Sequence, residues 1–206
     1  MAVADPFPEN LQRGLNALKN DAEVKDKVRV EPEKCFTGLD GYQKLIDSGV
    51  DLVVLASPPG FRPMHLKAAV DAGKHVFCEK PMATDGPGVR SVLESVKKAK
   101  EKNLAIVAGY CWRYNLAERA IFEKVIAGEI GDVRSFYGTY NTGLVGRNVP
   151  RAEGMGDLEY QIRNWFFYTW LSGDHIMEQA IHSLDKTMIK AGRLLGLPIS
   201  GSPGAA

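Results

Sequence analysis

Glu79, Lys80 and Pro81 follow the apolar run Val76 to Cys78. The residue before a proline is pushed toward extended geometry, so Lys80 is presented outward and does not continue into a helix. Ligands of open parallel sheets bind just beyond the carboxyl ends of the strands. A lysine placed there beside a bound cationic ring has its ammonium form disfavoured, which lets it exchange protons near neutral pH. The plain alternative is a solvated lysine at a strand end. Ser57, Pro58 and Pro59, at the tip of the preceding strand, favour the chemical reading over the plain one.

A second group lies late in the chain, where His175, Glu178 and His182 are spaced by three and four residues. That spacing predicts one helix face. Three readings stay open. The group is an acid/base cluster around a sugar hydroxyl, with His182 moving the proton and Glu178 orienting it. It is a divalent-metal site. Or it is a buried histidine satisfied by a neighbouring carboxylate. Asp185, one turn on, carries no chemistry on spacing alone.

Other candidates are single residues. Asp5 ends the opening run MAVAD, where an acid of a dinucleotide fold bonds ribose hydroxyls. The glycine-rich loop that should precede it by about 20 residues is expected before residue 1. His65 and His75 read as packing or capping residues, with His65 kept as a possible cofactor contact. Cys78 reads as a small core residue. Arg113, between Trp112 and Tyr114, either clamps a polar ligand or stacks on aromatics. The aromatics from Trp165 to Trp170 read as core, or in part as the floor of a pocket.

These residues must be held by something regular. Apolar periodicity predicts helices carrying Leu11, Leu15 and Leu18, and Tyr42, Leu45 and Ile46 after an Asp40 cap. Further helices are expected at 65–72, 85–102, 115–127 and 174–191. Strands are expected near residues 1–5, 28–30, 52–56, 76–78 and 104–108, with 52–56 covered on both faces. This alternation argues for right-handed crossovers in a doubly wound parallel sheet. Beyond residue 110 the pattern changes to a period-2 strand over Val133 to Tyr140 and a polar loop over Leu144 to Asp157. The expected fold class is therefore α/β: a partial Rossmann-type sheet over 1–112, without its first strand and glycine loop, then an incomplete α/β substrate or oligomerisation domain over 113–206.

Composition narrows the partners. With 206 residues, 45% hydrophobic and 25% charged, and a formal net charge of +1, the chain has no electrostatic reason to bind nucleic acid or an anionic membrane. No apolar run approaches the roughly 20 residues that span a bilayer. Lys97, Lys98, Lys100 and Lys102 read as the solvated face of a helix. Cys35, Cys78 and Cys111 have no metal-ligand spacing, so a reduced, cytoplasmic setting is the default.

Taken together, Ser57-Pro58-Pro59, Ala72-Gly73-Lys74-His75-Val76, Glu79-Lys80-Pro81, Trp112-Arg113-Tyr114, Ile130-Gly131-Asp132-Val133 and the stretch Gly173 to Asp185 resemble the Gfo/Idh/MocA family of oxidoreductases. The resemblance implies an N-terminal Rossmann domain for NAD or NADP, Lys80 near nicotinamide and substrate, and His182 as acid/base. It also implies a homo-oligomer and a small carbohydrate substrate. Asp5 leans toward NAD, because a carboxylate repels the extra phosphate. Ser57, Pro58, Pro59, His65, Glu79, Lys80 and Arg113 are the further cofactor candidates, and no metal is expected. The family pattern has an aspartate where this chain has Glu178. The function expected is oxidation of a sugar or cyclitol hydroxyl, with an NAD-dependent glycoside hydrolase or a non-catalytic fragment as alternatives.

Overall fold

The computed structural model describes residues 1–143, 145, 146 and 148–194. Its contacts divide the chain into two compact units. The first comprises Met1–Leu55, Pro63–Phe77 and Arg90–Ile106; the second comprises Ala56–Arg62, Cys78–Val89 and the described part of Val107–Ala206.

The first unit opens with β1 (Val3–Asp5), which leads into α1 (Pro8–Asn20). Pro8 stands in the first turn, where its missing N–H has no helical partner to lose. Leu11 and Leu15 are buried, while Leu18 at the end of the helix is 43% exposed. β1 pairs in parallel with β2 (Cys35–Thr37), in the register Val3 to Cys35 and Asp5 to Thr37. The strand expected over 28–30 does not form; the pairing falls several residues later. In α2 (Gly41–Asp47), Asp40 makes no side-chain cap and pairs with Lys44 one turn on, at 2.8 Å.

Next come β3 (Leu52–Leu55), α3 (Arg62–Asp71), β4 (His75–Glu79), α4 (Gly86–Glu101) and β5 (Ile106–Gly109), with the strands in the order β3-β4-β5. A helix between each pair of sequential strands is the Rossmann-like α/β pattern expected from the sequence. Leu66, Ala69 and Val70 of α3 and Val53 and Leu55 of β3 are buried. The opposite face of β3 is bare, with Leu52 and Val54 at 54% and 63% exposure. The double-sided cover expected of this strand is therefore not found: no described element lies against that face.

Helix α3 ends at Gly73, which adopts the left-handed conformation (φ 73°) and lets Lys74 donate back to the Ala69 carbonyl at 2.9 Å. Lys102 reaches the last carbonyls of α3, Val70 at 3.0 Å and Asp71 at 2.8 Å. Lys98 pairs with the Asp71 carboxylate, which also holds Lys67 at 2.6 Å. Asp71 is thereby lowered to about 2. The lysine run is thus more than a solvated face, since Lys98 and Lys102 bind the end of α3.

In the second unit, α5 (Leu116–Ile126) is capped by Asn115, whose side chain accepts from the Glu118 N–H at 3.0 Å. Then follow α6 (Asp157–Arg163), α7 (Thr169–Ser172), a π-helical turn (Ile176–Ala180) and α8 (Ile181–Leu194). Val133 to Tyr140 forms no strand. Its partners lie on α8 instead: Ser183 Oγ donates to the Thr139 carbonyl at 2.8 Å, and Tyr140 stacks on His182 with centroids 5.8 Å apart. The loop before α6 is pinned by Asn164, whose side chain accepts from the Val149 N–H at 2.7 Å and donates to its carbonyl at 3.1 Å. Among the described residues, no helix is long and apolar enough to cross a membrane.

Candidate active site

The second unit brings together Lys80, Glu178 and His182. Lys80 Nζ donates to the Glu178 carbonyl at 2.6 Å and to its carboxylate Oε1 at 3.1 Å. Both side chains are largely buried, at 15% and 10% exposure. The π turn matters here. A π turn is one residue wider than an α turn, is rare, and recurs at functional sites. It interrupts, over Ile176–Ala180, the helix that the sequence predicts for 174–191. His175 is exposed, whereas Glu178 and His182 are buried.

Burial raises the Glu178 carboxyl above its ordinary range, and the charge of Lys80 offsets part of that rise. The His182 imidazole is lowered, first by burial and then by the positive charges of Lys80 and Lys186. Neutral imidazole is a proton acceptor at neutral pH. Two polar atoms here are buried without a protein partner, Glu178 Oε2 and His182 Nδ1. Unpartnered buried polar groups are uncommon and costly, so both atoms stand out among the described residues.

Glu178 also lines a cavity of about 460 Å³, within the usual range for small-molecule sites. Thr142, Thr169, Ser172, Asp174 and His175 supply its polar wall, and Phe166 and Phe167 an apolar one. Two of the clustered aromatics thus line a cavity. Lys80 and His182 are not among its lining residues.

Arg113 forks onto the buried Asp185 carboxylate, its Nε at 3.1 and 2.9 Å and its Nη2 on Oδ1. The guanidinium also lies over the Tyr110 ring, 5.2 Å from its centroid. The neighbouring Lys186 bonds Glu118 at 2.7 Å and sits 4.3 Å from the Trp112 ring centroid. Of the two readings of Arg113, the aromatic and carboxylate contacts are those the structure contains.

Glu79 folds its carboxylate against Gly109, where an added Cβ would meet it at 2.8 Å, and Oε2 accepts from the Lys80 N–H at 3.2 Å. Cys78 is fully buried, and burial pushes its thiol up to about 11. Asp5 and His65 belong to the first unit. Asp5 accepts from the Phe7 N–H at 2.9 Å, and the His65 ring stacks on Tyr42 with centroids 4.1 Å apart. His75, in the same unit, accepts from the Ala105 N–H at 3.0 Å.

Arg62 was not anticipated as a candidate. It is 3% exposed and bonds the main-chain carbonyls of Glu79, at 2.7 Å, of Pro81 and of Ser57. One signal for it exists in the sequence: a cation in the first turn of a helix opposes the helix dipole, so it must find its partners elsewhere. Tyr140, stacked on His182, carried no such signal.

The alternating strands and helices define a Rossmann-like α/β class, with a lysine, a glutamate and a histidine gathered beyond the end of one strand. Residues 9–110 match the family described as oxidoreductases with an NAD-binding Rossmann fold (Gfo/Idh/MocA), and the chain belongs to that family. It is 26% identical, over 88% of its length and 52% of the relative's, to 4-carboxy-2-hydroxymuconate-6-semialdehyde dehydrogenase of a Sphingobium strain. It is 24% identical to inositol 2-dehydrogenase of Serratia proteamaculans, over 88% of this chain and 49% of that one. Among solved structures, levoglucosan dehydrogenase in complex with NADH and levoglucosan aligns at a TM-score of 0.68 with 22% identity, covering 92% of this chain and 44% of that one. The chain spans about half the length of the curated relatives it matches.

Proposed function

We propose that this chain is part of an NAD(P)-dependent oxidoreductase acting on a hydroxyl of a sugar or cyclitol. The observation that carries the reading is the convergence of Lys80, Glu178 and His182, with two buried polar atoms left unpartnered. His182, held neutral by burial and by nearby positive charge, takes the hydroxyl proton. Lys80 carries positive charge toward the oxygen as the proton leaves, and Glu178 fixes the ammonium. The nicotinamide, when bound, accepts the hydride from the carbon.

The reading places the nicotinamide end of that cofactor beside Lys80. The strand-end segments Ser57–Pro59 and Glu79–Lys80 would hold the ring, and Asp5, at the end of β1, would bond the ribose and favour NAD over NADP. His65 and Arg113 complete the proposed cofactor set. In functional terms residues 1–112 serve the cofactor, and 113–206 serve the substrate and assembly of a homo-oligomer. The free cysteines Cys35, Cys78 and Cys111 suit a reduced, cytoplasmic setting.

The carbohydrate class is supported by an inositol dehydrogenase and a levoglucosan dehydrogenase among the similar proteins. Hydroxyl-bearing Thr142, Thr169 and Ser172 beside Phe166 and Phe167 suit such a ligand. The test is calorimetric titration with NAD and NADP, followed by reduced-nicotinamide absorbance with a panel of monosaccharides, inositols and glycosides. Absorbance that grows with substrate, and is lost in Lys80→Ala and His182→Ala, is the expected result. Flat absorbance with glycoside cleavage would mean a hydrolase, and no binding heat from the folded chain would mean a non-catalytic fragment.

A further inference from the structure

We infer that Arg62 is a positioning residue: its buried guanidinium, bonded to the carbonyls on both sides of Lys80, sets the direction of the lysine toward Glu178. This rests on the reading of Lys80 as the functional lysine, but its physical content is geometric.

Strand β4 ends at Glu79, so the carbonyls of Glu79 and Pro81 lie where a sheet ladder stops. A buried carbonyl must still find a donor. Arg62 Nη1 supplies it to both, at 2.7 Å to Glu79 and more closely to Pro81. Nη2 reaches the Ser57 carbonyl, in the turn after β3. One planar group therefore ties the ends of two strands together, and Lys80 is the residue enclosed between the two bonded carbonyls.

The placement is an expensive one for a cation. Burial lowers the Arg62 pKa, and the nearby carboxylates of Glu178 and Glu79 oppose this. No hydrogen bond from Arg62 to any of those side chains accompanies the three carbonyl bonds. Its Nε is buried without a partner, and it sits against the dipole of its own helix. A neutral side chain would close the turn without these penalties. What a neutral side chain lacks is a rigid fork that meets carbonyls from two strand ends at once.

The turn is also wedged from outside. A Cβ added at Gly60 would overlap the Trp170 carbonyl and meet Leu171 Cα at 3.1 Å. Residues 57–62 thus have little room to relax if the guanidinium is removed, and the loss passes to the 79–81 segment.

The experiment is competitive acetylation of the intact chain with acetic anhydride, read by mass spectrometry at Lys80 and Lys102. Lys102, bonded to α3 carbonyls in the other unit, serves as the internal standard. In Arg62→Met, Lys80 is expected to react several-fold faster relative to Lys102, with the circular-dichroism spectrum kept. Arg62→Lys keeps the charge but not the fork, so it should recover melting temperature without recovering Lys80 protection. Unchanged Lys80 reactivity in a folded variant would overturn the proposal. Should neither variant fold, the unaltered protein decides: NMR contacts between the Arg62 Nη protons and residues 57, 79 and 81 support it, and their absence overturns it. Altered labelling without dinucleotide binding or nicotinamide reduction in the parent chain would overturn the functional reading alone.

Discussion

Glu178 meets Lys80 twice, once through its main-chain carbonyl at 2.6 Å and once through its carboxylate at 3.1 Å. A regular α-helix commits that carbonyl to an N–H four residues on. In a π turn the pairing shifts to five residues on, and here the Glu178 carbonyl accepts from the Lys80 ammonium.

Glu178→Ala should remove the charged contact and leave the carbonyl one. We expect a loss of about 1.5–3 kcal/mol, the usual cost of deleting a hydrogen bond to a charged group, read from urea unfolding. Glu178→Gln should be milder, and its comparison with the parent depends on pH. The folded carboxyl titrates above the ordinary 4.5, so the folded state favours its proton. That stabilisation is present at low pH and is lost as pH rises through the raised value. The advantage of the parent over the glutamine variant should therefore narrow as pH climbs past 4.5.

His182 carries the opposite sign. Its folded pKa lies below the ordinary 6.5, so the unfolded chain binds the proton more readily. Its contribution is fully present above 6.5 and is lost as pH falls through the lowered value. The melting temperature of the parent should drop on acidification below 6.5 more steeply than that of His182→Gln. Parallel melting curves across that window would contradict the assignment.

Arg113 and Asp185 make an asymmetric pair. Asp185 is 7% exposed and Arg113 24%. Arg113→Met strands a buried carboxylate and should cost about 3–5 kcal/mol. Asp185→Asn leaves a guanidinium that water can reach and should cost about 1.5–3 kcal/mol. Chemical denaturation of both single variants and the double variant gives the order and the coupling.

Gly60→Ala should destabilise by about 1–3 kcal/mol, because the added methyl meets backbone that cannot rotate away. A melting temperature equal to that of the parent would show that residues 57–62 move freely, contrary to the packing seen.

The α/β class, the alternation of β3, α3, β4, α4 and β5, and the placing of Lys80 at a strand end were legible in the sequence. Each follows from local signals: apolar runs, turn residues and a proline. The gathering of Lys80, Glu178 and His182 was legible only through resemblance, since 98 residues separate the first two. Three features were not legible. Val133 to Tyr140 has the alternation of a strand, but a strand also needs a hydrogen-bonded neighbour, and Ser183 and Tyr140 tie this segment to α8 instead. Leu52 and Val54 read as doubly buried because composition reports an apolar strand without saying what covers it. The π turn is a matter of register, and helical spacing in the sequence cannot show one residue too many.

That surplus residue has a mechanical consequence. Deleting any one residue between 176 and 180 would let the helix wind regularly, and each residue turns an α-helix by about 100°. Ser183, Asp185 and Lys186 would then swing off Thr139, Arg113 and Glu118 together. Substitutions in this turn act locally, whereas a change of length there disengages the whole of α8.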